Sequence, residues 1–310
     1  MKYDVCVFGG CSIDLTYYAN KDGNYNTEPD IKSPGGKGSN QAVAASRAGA
    51  KTTIITRLGN DEIGKMICNN LINNNIDISN VELLDQVEND SATIYVNEIN
   101  KDNDIKRTAG AIDSFTEDMI DNYSKVLLSS RIVVAQMKIP KEVSIKLINF
   151  CYENKIPIVI TPCRPKKLSI LEKNNIDLIN KITYITCNRE ECEIVFGTTD
   201  YEKIVEKYPN KLIITLGEKG LIYHNGEKIV YLEAPQKNVV VDTTGAGDTF
   251  AGNFATFIAY GNSFEDAIIK AQYASGMKIM KETAQDGMPY IDELNNFIKK
   301  DLSKKINTIN

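Results

Sequence analysis

The chain has 310 residues, 42% hydrophobic and 25% charged, enough to bury a full core without disulfide or metal staples. Its 36 Lys and Arg stand against 41 Asp and Glu, a net charge of −5, which argues against a broad nucleic-acid surface. No apolar run approaches the ~20 residues of a membrane span. Asp4 also interrupts the N-terminus where an export signal would continue apolar, so the expected location is the cytosol.

Taken in chain order, Val5 to Phe8 predicts a first strand, apolar throughout as in a strand buried on both faces. Leu15 to Ser33 then breaks the pattern, with Tyr17, Tyr18 and Tyr25 among Asn, Asp and Gly. Asn40 to Ala48 has helical periodicity, Thr53 to Ile55 reads as a strand, and Asp61 to Asn73 as a helix. Ser91 to Arg107 departs again: Thr93 to Val96 is strand-like, but no helix follows. Strands are predicted at Ile132 to Val134, at Ile158 to Ile160 behind Pro157, and at Leu212 to Ile214. Lys141 to Asn154 is a predicted helix, and His224 falls in a hairpin turn. Val239 to Val241 reads as a strand feeding the helix Ala246 to Tyr260, and the charged tail from Lys299 is expected to fray. This alternation predicts an α/β fold, a doubly wound and mostly parallel sheet flanked by helices. The two irregular stretches, about 15–33 and 91–108, are expected to add a small β-lid to a single domain spanning 1–310.

The seven cysteines are scattered and contain no C-x-x-C pair, which fits small buried hydrophobes in a reducing compartment. His224 is the only histidine, so multi-histidine metal sites are excluded, as are Ser-His-Asp and Cys-His catalysis unless His224 supplies it. The remaining chemistry belongs to carboxylates, backbone amides, Lys and Arg.

Two glycine-rich segments carry that chemistry. Asp242-Thr-Thr-Gly-Ala-Gly-Asp-Thr-Phe250 opens a helix, and Gly245 and Gly247 allow a sharp turn. The amides of Ala246, Gly247 and Asp248 would be unpaired first-turn donors at the positive end of the helix dipole, a site for a phosphoryl group. Asp248 there makes sense as a base for an alcohol that attacks that group, although it could also simply cap the helix. The segment matches neither the P-loop nor the dinucleotide fingerprint. The other segment, first in chain order, is Pro34-Gly-Gly-Lys-Gly-Ser-Asn-Gln-Ala42, which leads into another helix. Its exposed backbone could approach a small polyol closely, with Asn40 offering donor and acceptor.

Together, Gly35-Gly-Lys-Gly-Ser-Asn-Gln-Ala42 and Asp242-Thr-Thr-Gly-Ala-Gly-Asp248 resemble the two signatures of the ribokinase-like carbohydrate kinases, the phosphofructokinase-B family. The resemblance runs from Tyr3 to about Phe297. It implies transfer of the ATP γ-phosphate to a sugar hydroxyl, with Asp248 as general base, the amides of Ala246 and Gly247 as the anion hole, and Gly245 in the same catalytic turn. It assigns Ser12, Asp14, Gly36, Lys37, Gly38 and Asn40 to the sugar. Asn188 and Glu191 match the family's N-x-x-E motif near magnesium and phosphate, and Thr215, Gly217, Glu218 and Gly220 its nucleotide loop, joined by Gln272. It also implies a monovalent cation, usually potassium, held by Asp242 and Thr244 with groups around Lys278, Lys281 and Thr283. Gly287 departs from the Ser ligand of ribokinases. A homodimer through the lid is a further expectation.

Other departures bear on the substrate. Ser12 replaces the usual Asn beside the sugar, and Lys138 stands where ribokinases carry Glu, a reversal of charge. Arg107 and Arg164 could join Lys138 in holding an acidic substrate. Ribose or a similar pentose is the default. Fructose, a sugar acid such as ketodeoxygluconate, or a nucleoside stacked on Tyr17, Tyr18 and Tyr95 are the alternatives, with a non-catalytic binding protein behind them.

Overall fold

The computed structural model describes residues 1–97, 102–163, 176–235 and 240–309. Its strands are β1 (Tyr3–Phe8), β2 (Ser12–Tyr18), β3 (Ile31–Gly35), β4 (Thr52–Gly59), β5 (Val81–Leu84), β6 (Asp90–Asn97) and β7 (Asp102–Thr108). They continue with β8 (Ser130–Gln136), β9 (Ile158–Thr161), β10 (Tyr184–Asn188), β11 (Leu212–Thr215), β12 (Leu221–His224) and β13 (Ile229–Leu232). Nine form one sheet in the order β13-β12-β11-β10-β9-β8-β1-β4-β5. The run from β11 to β5 is parallel, and β12 and β13 extend one edge antiparallel.

Why the strands read as unbroken apolar runs is visible in β1. Cys6 and Phe8 point into one core, Val5 and Val7 into the other, and all four are fully buried. The same split divides Val133 and Ala135 from Ile132 and Val134 on β8, and Ile158 and Ile160 from Val159 on β9. One core takes Val143, Leu147 and Cys151 of helix Lys141–Glu153. The other takes the alanine-rich helix Lys37–Arg47 and the helix Ala246–Ala259. These two helices lie very close: a Cβ on Gly252 would sit 2.5 Å from the Gln41 carbonyl and 2.7 Å from Ala44 Cβ.

The chain leaves β1 in one direction toward β4 and β5 and fills β8 to β11 in the other. The strand order therefore reverses beside β1, and a crevice opens at the carboxyl ends of the strands there. Gln136, Thr161, Asn188 and Thr215 are the last residues of β8, β9, β10 and β11.

The two irregular stretches supply a separate four-stranded sheet, β3-β2-β6-β7. Its register aligns Tyr17 with Tyr95, whose rings stack at 5.2 Å, while Tyr25 meets Tyr95 edge-on at 5.0 Å. Tyr17 and Tyr95 thus pack on one another, while Tyr18 at the end of β2 is exposed.

Two expectations fail. Val240 and Val241 form no strand: the amides of Val241 and Asp242 both donate to the Ile279 carbonyl, so a helix end takes the donors a sheet would need. Val239 lies outside the described residues. The tail does not fray at Lys299, because helix Ile291–Ile309 is anchored by buried Leu294 and by Tyr273, which donates to Asp301 at 2.6 Å. The predicted hairpin at His224 is present, its Nδ1 accepting from the Gly226 amide.

Candidate active site

Within the second glycine segment, Asp242 to Phe250, Gly245 lies in the left-handed region, φ 78°, and a Cβ there would sit 2.5 Å from the Ala284 carbonyl oxygen. That turn starts the helix carrying Asp248. The Ala246 amide donates back to Thr243 at 3.2 Å, which leaves the Gly247 and Asp248 amides as the first-turn donors without an intrahelical acceptor. The space beside Gly247 is open, with no atom within 4 Å of an added Cβ.

Asp248 is buried, and its side chain does not cap its own helix. Instead Oδ2 accepts from Asn40 Nδ2 at 3.1 Å and Oδ1 from Gln41 Nε2 at 3.0 Å. Each of those amides is itself oriented by another. Gln285 Nε2 donates to Asn40 Oδ1 at 2.9 Å and to Ser39 Oγ at 3.0 Å, while Asn70 donates to Gln285 Oε1. Gln136 Nε2 donates to Gln41 Oε1 at 2.6 Å, and Gln41 also reaches Thr161 at 3.2 Å. With their oxygens occupied, Asn40 and Gln41 have only NH2 groups to offer the carboxylate. Gln41, Gln136 and Gln285 were not among the expected site residues. Gln41 lies inside the first glycine motif, whereas nothing local marks Gln136 or Gln285.

The first glycine segment is pressed against the β1–β2 connection. Gly36 has φ 87°, and a Cβ would meet the Ser12 amide at 2.5 Å. The Gly38 amide donates to Gly10 at 2.9 Å. This contact gathers Ser12, Asp14, Gly36, Gly38 and Asn40 at one end of the sheet. Asp14 is half-buried, and burial raises its carboxyl to about 6 while Arg107 and Lys138 pull it back. Register explains Arg107: Asp14 pairs with Ala92 and Ala92 with Arg107, so the two charged residues share a sheet face across one small side chain. Lys138, exposed beyond β8, also acts on buried Asp90, whose carboxyl is raised by burial and whose Oδ1 is unpartnered. The expected cations thus face two carboxylates. Arg164 lies outside the described residues.

On the far side, Asn188 and Glu191 form a capping box on helix Arg189–Phe196: Asn188 Oδ1 accepts from the Glu191 amide at 2.9 Å and Glu191 Oε2 from the Asn188 amide at 3.0 Å. Glu191 Oε1 lies 3.9 Å from Lys37 Nζ, tying this helix start to the first glycine segment. Thr215 donates to the Cys187 carbonyl at 3.3 Å, and Gly217 and exposed Glu218 follow it. Gly220, φ 90°, has no room for a Cβ against Leu232. Gln272 donates to that same Leu232 carbonyl at 3.1 Å.

The residues implied for a monovalent cation also come together. Thr244 donates its amide to Asp242 Oδ1 at 2.8 Å, Lys278 Nζ donates to the Asp242 carbonyl at 2.9 Å, and the Lys281 amide bonds to the Lys278 carbonyl at 3.2 Å. Thr283 sits in the left-handed region at φ 56°, and Gly287 packs on Lys278.

The family model for the pfkB family carbohydrate kinases matches residues 2–291. A ribokinase of Lactococcus lactis is 35% identical over 94% of this chain and 95% of its own length. A ribokinase of Bacillus subtilis is 34% identical over 94% and 98%. Among solved structures, Arabidopsis thaliana ribokinase complexed with ribose and ATP superposes with a TM-score of 0.84 at 23% identity, over 96% of this chain and 99% of that one.

The amide relay makes a specific demand. Gln285→Leu frees Asn40 to turn its oxygen toward Asp248. Chemical denaturation should show a loss of about 1–3 kcal/mol, and steady-state kinetics a lower kcat with an unchanged KM for nucleotide.

Proposed function

The chain belongs to the pfkB family of carbohydrate kinases, and from that premise we propose that its substrate is ribose. It is an ATP-dependent sugar kinase. One observation carries the reading of its chemistry: a buried carboxylate, Asp248, held by two oriented amides in the first turn of a helix whose amides face open space.

In the proposed mechanism the sugar lies between Asp14 and Asp248, with Ser12, Gly36, Gly38 and Asn40 along it. Asp248 accepts the proton of the attacking hydroxyl, while the Gly247 and Asp248 amides hold the γ-phosphoryl group as charge builds on its oxygens. The relay through Gln285 and Gln136 keeps Asp248 an acceptor aimed at one point, a gain of orientation. Lys37 reaches from the sugar side to Glu191 on the phosphate side. Thr215, Gly217, Glu218 and Gly220 line the nucleotide, with Gln272 fixing the neighbouring strand end. Magnesium suits the hard oxygens of Asn188 and Glu191, the residues that would hold it, and when bound it neutralises phosphate charge.

A neutral sugar is supported by the charge balance. Among the described residues, Lys138 and Arg107 act on Asp14, and Lys138 also on Asp90, so these cations are matched by carboxylates rather than left over for a sugar acid. The name ribokinase on the relatives agrees. We place the whole chain in one cytoplasmic domain, the four-stranded sheet serving as its lid. Among the described residues no helix is long and apolar enough to cross a membrane.

ATP consumption should be read with ribose, deoxyribose, fructose, ketodeoxygluconate and nucleosides. Ribose is expected to give the highest kcat/KM, and a preference for the sugar acid would sink the proposal. Asp248→Asn keeps the shape but removes the base, so kcat should fall about 10²–10⁴-fold with nucleotide binding nearly unchanged by calorimetry.

Asp14 adds a pH dependence. Its carboxyl titrates at about 6, above the ordinary 3.8, so it is ionised and accepts sugar hydroxyls only above that pH. The KM for ribose should rise as pH falls through 6 and kcat should move little; Asp14→Asn should flatten the profile. The sign for stability is opposite. The raised value stabilises the fold below 3.8, and that contribution is lost as pH climbs through 6.

We further propose a dimer across the four-stranded sheet, whose outer strands β3 and β7 each leave one edge open. Light scattering on a gel-filtration peak should give twice the chain mass; a clean monomer would count against it.

A further inference from the structure

Lys278 is the last residue of helix Phe264–Lys278, and its side chain has no exposed surface. A buried ammonium is costly unless oxygens surround it. Here Nζ donates to the Asp242 carbonyl at 2.9 Å and stands 3.8 Å from Asp242 Oδ2. Burial lowers the pKa of the ammonium, and both interactions with Asp242 support its charge. The ammonium lies in the seam between this helix and the segment that leads into Gly245 and Asp248. The seam is closed by backbone bonds from Val241 and Asp242 to Ile279, and by Ser275, which donates to the Ala246 carbonyl at 2.7 Å.

These are the residues that the family pattern assigns to potassium, and the donor set does not fit that ion. The ammonium occupies the oxygens of Asp242, the first residue the resemblance assigns to that ion: it is bonded to the carbonyl and stands 3.8 Å from the carboxylate. The Ser expected at 287 is Gly, and a Cβ there would overlap the Lys278 carbonyl, so no hydroxyl can be hosted. An alkylammonium has the same charge as potassium and binds through the same oxygens. Being covalently attached, it cannot leave. We propose that the Lys278 ammonium takes the place of the monovalent cation, and that this kinase runs without potassium. Lys278 is then a positioning residue: it touches neither sugar nor phosphate, and acts by holding the Asp242–Gly245 turn in the shape that presents the Gly247 and Asp248 amides.

The test uses the full-length protein dialysed into tetramethylammonium chloride. Wild type is expected to turn over at full rate, with no further gain from potassium over sodium and no potassium-specific rise in Tm. Lys278→Ala removes the ammonium and opens space. Its kcat should fall about 10²-fold, the cost of a small misplacement in a phosphoryl site, and potassium should restore turnover and raise its Tm where sodium does not. A wild-type rate that depends on potassium, with a potassium-specific Tm shift, overturns the proposal. So does a Lys278→Ala enzyme that keeps full turnover in tetramethylammonium. Should that variant not fold, the wild-type comparison decides alone. Turnover is read on whichever sugar proves best and the Tm comparison needs no sugar, so a wrong substrate assignment cannot be mistaken for a wrong cation assignment.

Discussion

The burial of Asp248 against two side-chain amides sets the terms for this molecule. Asp248 is held by two neutral amides, each giving it a charge-assisted hydrogen bond worth about 1.5–3 kcal/mol. The demand propagates outward. An amide can donate reliably only if its oxygen is engaged, hence Gln285 behind Asn40 and Gln136 behind Gln41. Asn40 and Gln41 reach Asp248 because helices Lys37–Arg47 and Ala246–Ala259 lie almost in contact, which Gly252 and the run of alanines opposite it permit.

The sheet itself was legible in the amino-acid sequence because its strands are buried on both faces. Continuous runs such as Val5 to Phe8 and Leu212 to Ile214 have no other stable home in a chain this size. The short edge strand β5 and the antiparallel β12 and β13 lack that signature, since each has at least one half-exposed position. Val240 and Val241 show the opposite failure, β-branched residues whose amides a helix end captured first. At the site, the glycines announced themselves because their backbone cannot carry a Cβ, and Asp248 because a carboxylate among anion-binding amides needs a reason. Gln136 and Gln285 were silent. An amide that orients another amide has no spacing rule, and its partner here lies 95 or 245 residues away.

Several groups serve fold and chemistry at once. Asn188 and Glu191 complete a helix cap that would be sensible in any protein, yet the oxygen of Glu191 left over from the cap is the one that meets Lys37. Lys138 looked like a reversal of charge when read alone. In space it faces the carboxylates of Asp14 and Asp90, neighbours that its position in the sequence does not announce.

The separation in sequence between the parts of the site has a consequence for synthesis. Asp248 follows Asn40 by 208 residues, and Gln285 follows it by 245. At ribosomal speeds of about 5–20 residues per second, the first glycine segment emerges roughly 10–40 s before Asp248 does. Under the role proposed for Asp248, a chain that ends before it lacks the base however complete its first glycine segment, so turnover waits on the order in which the two segments are made.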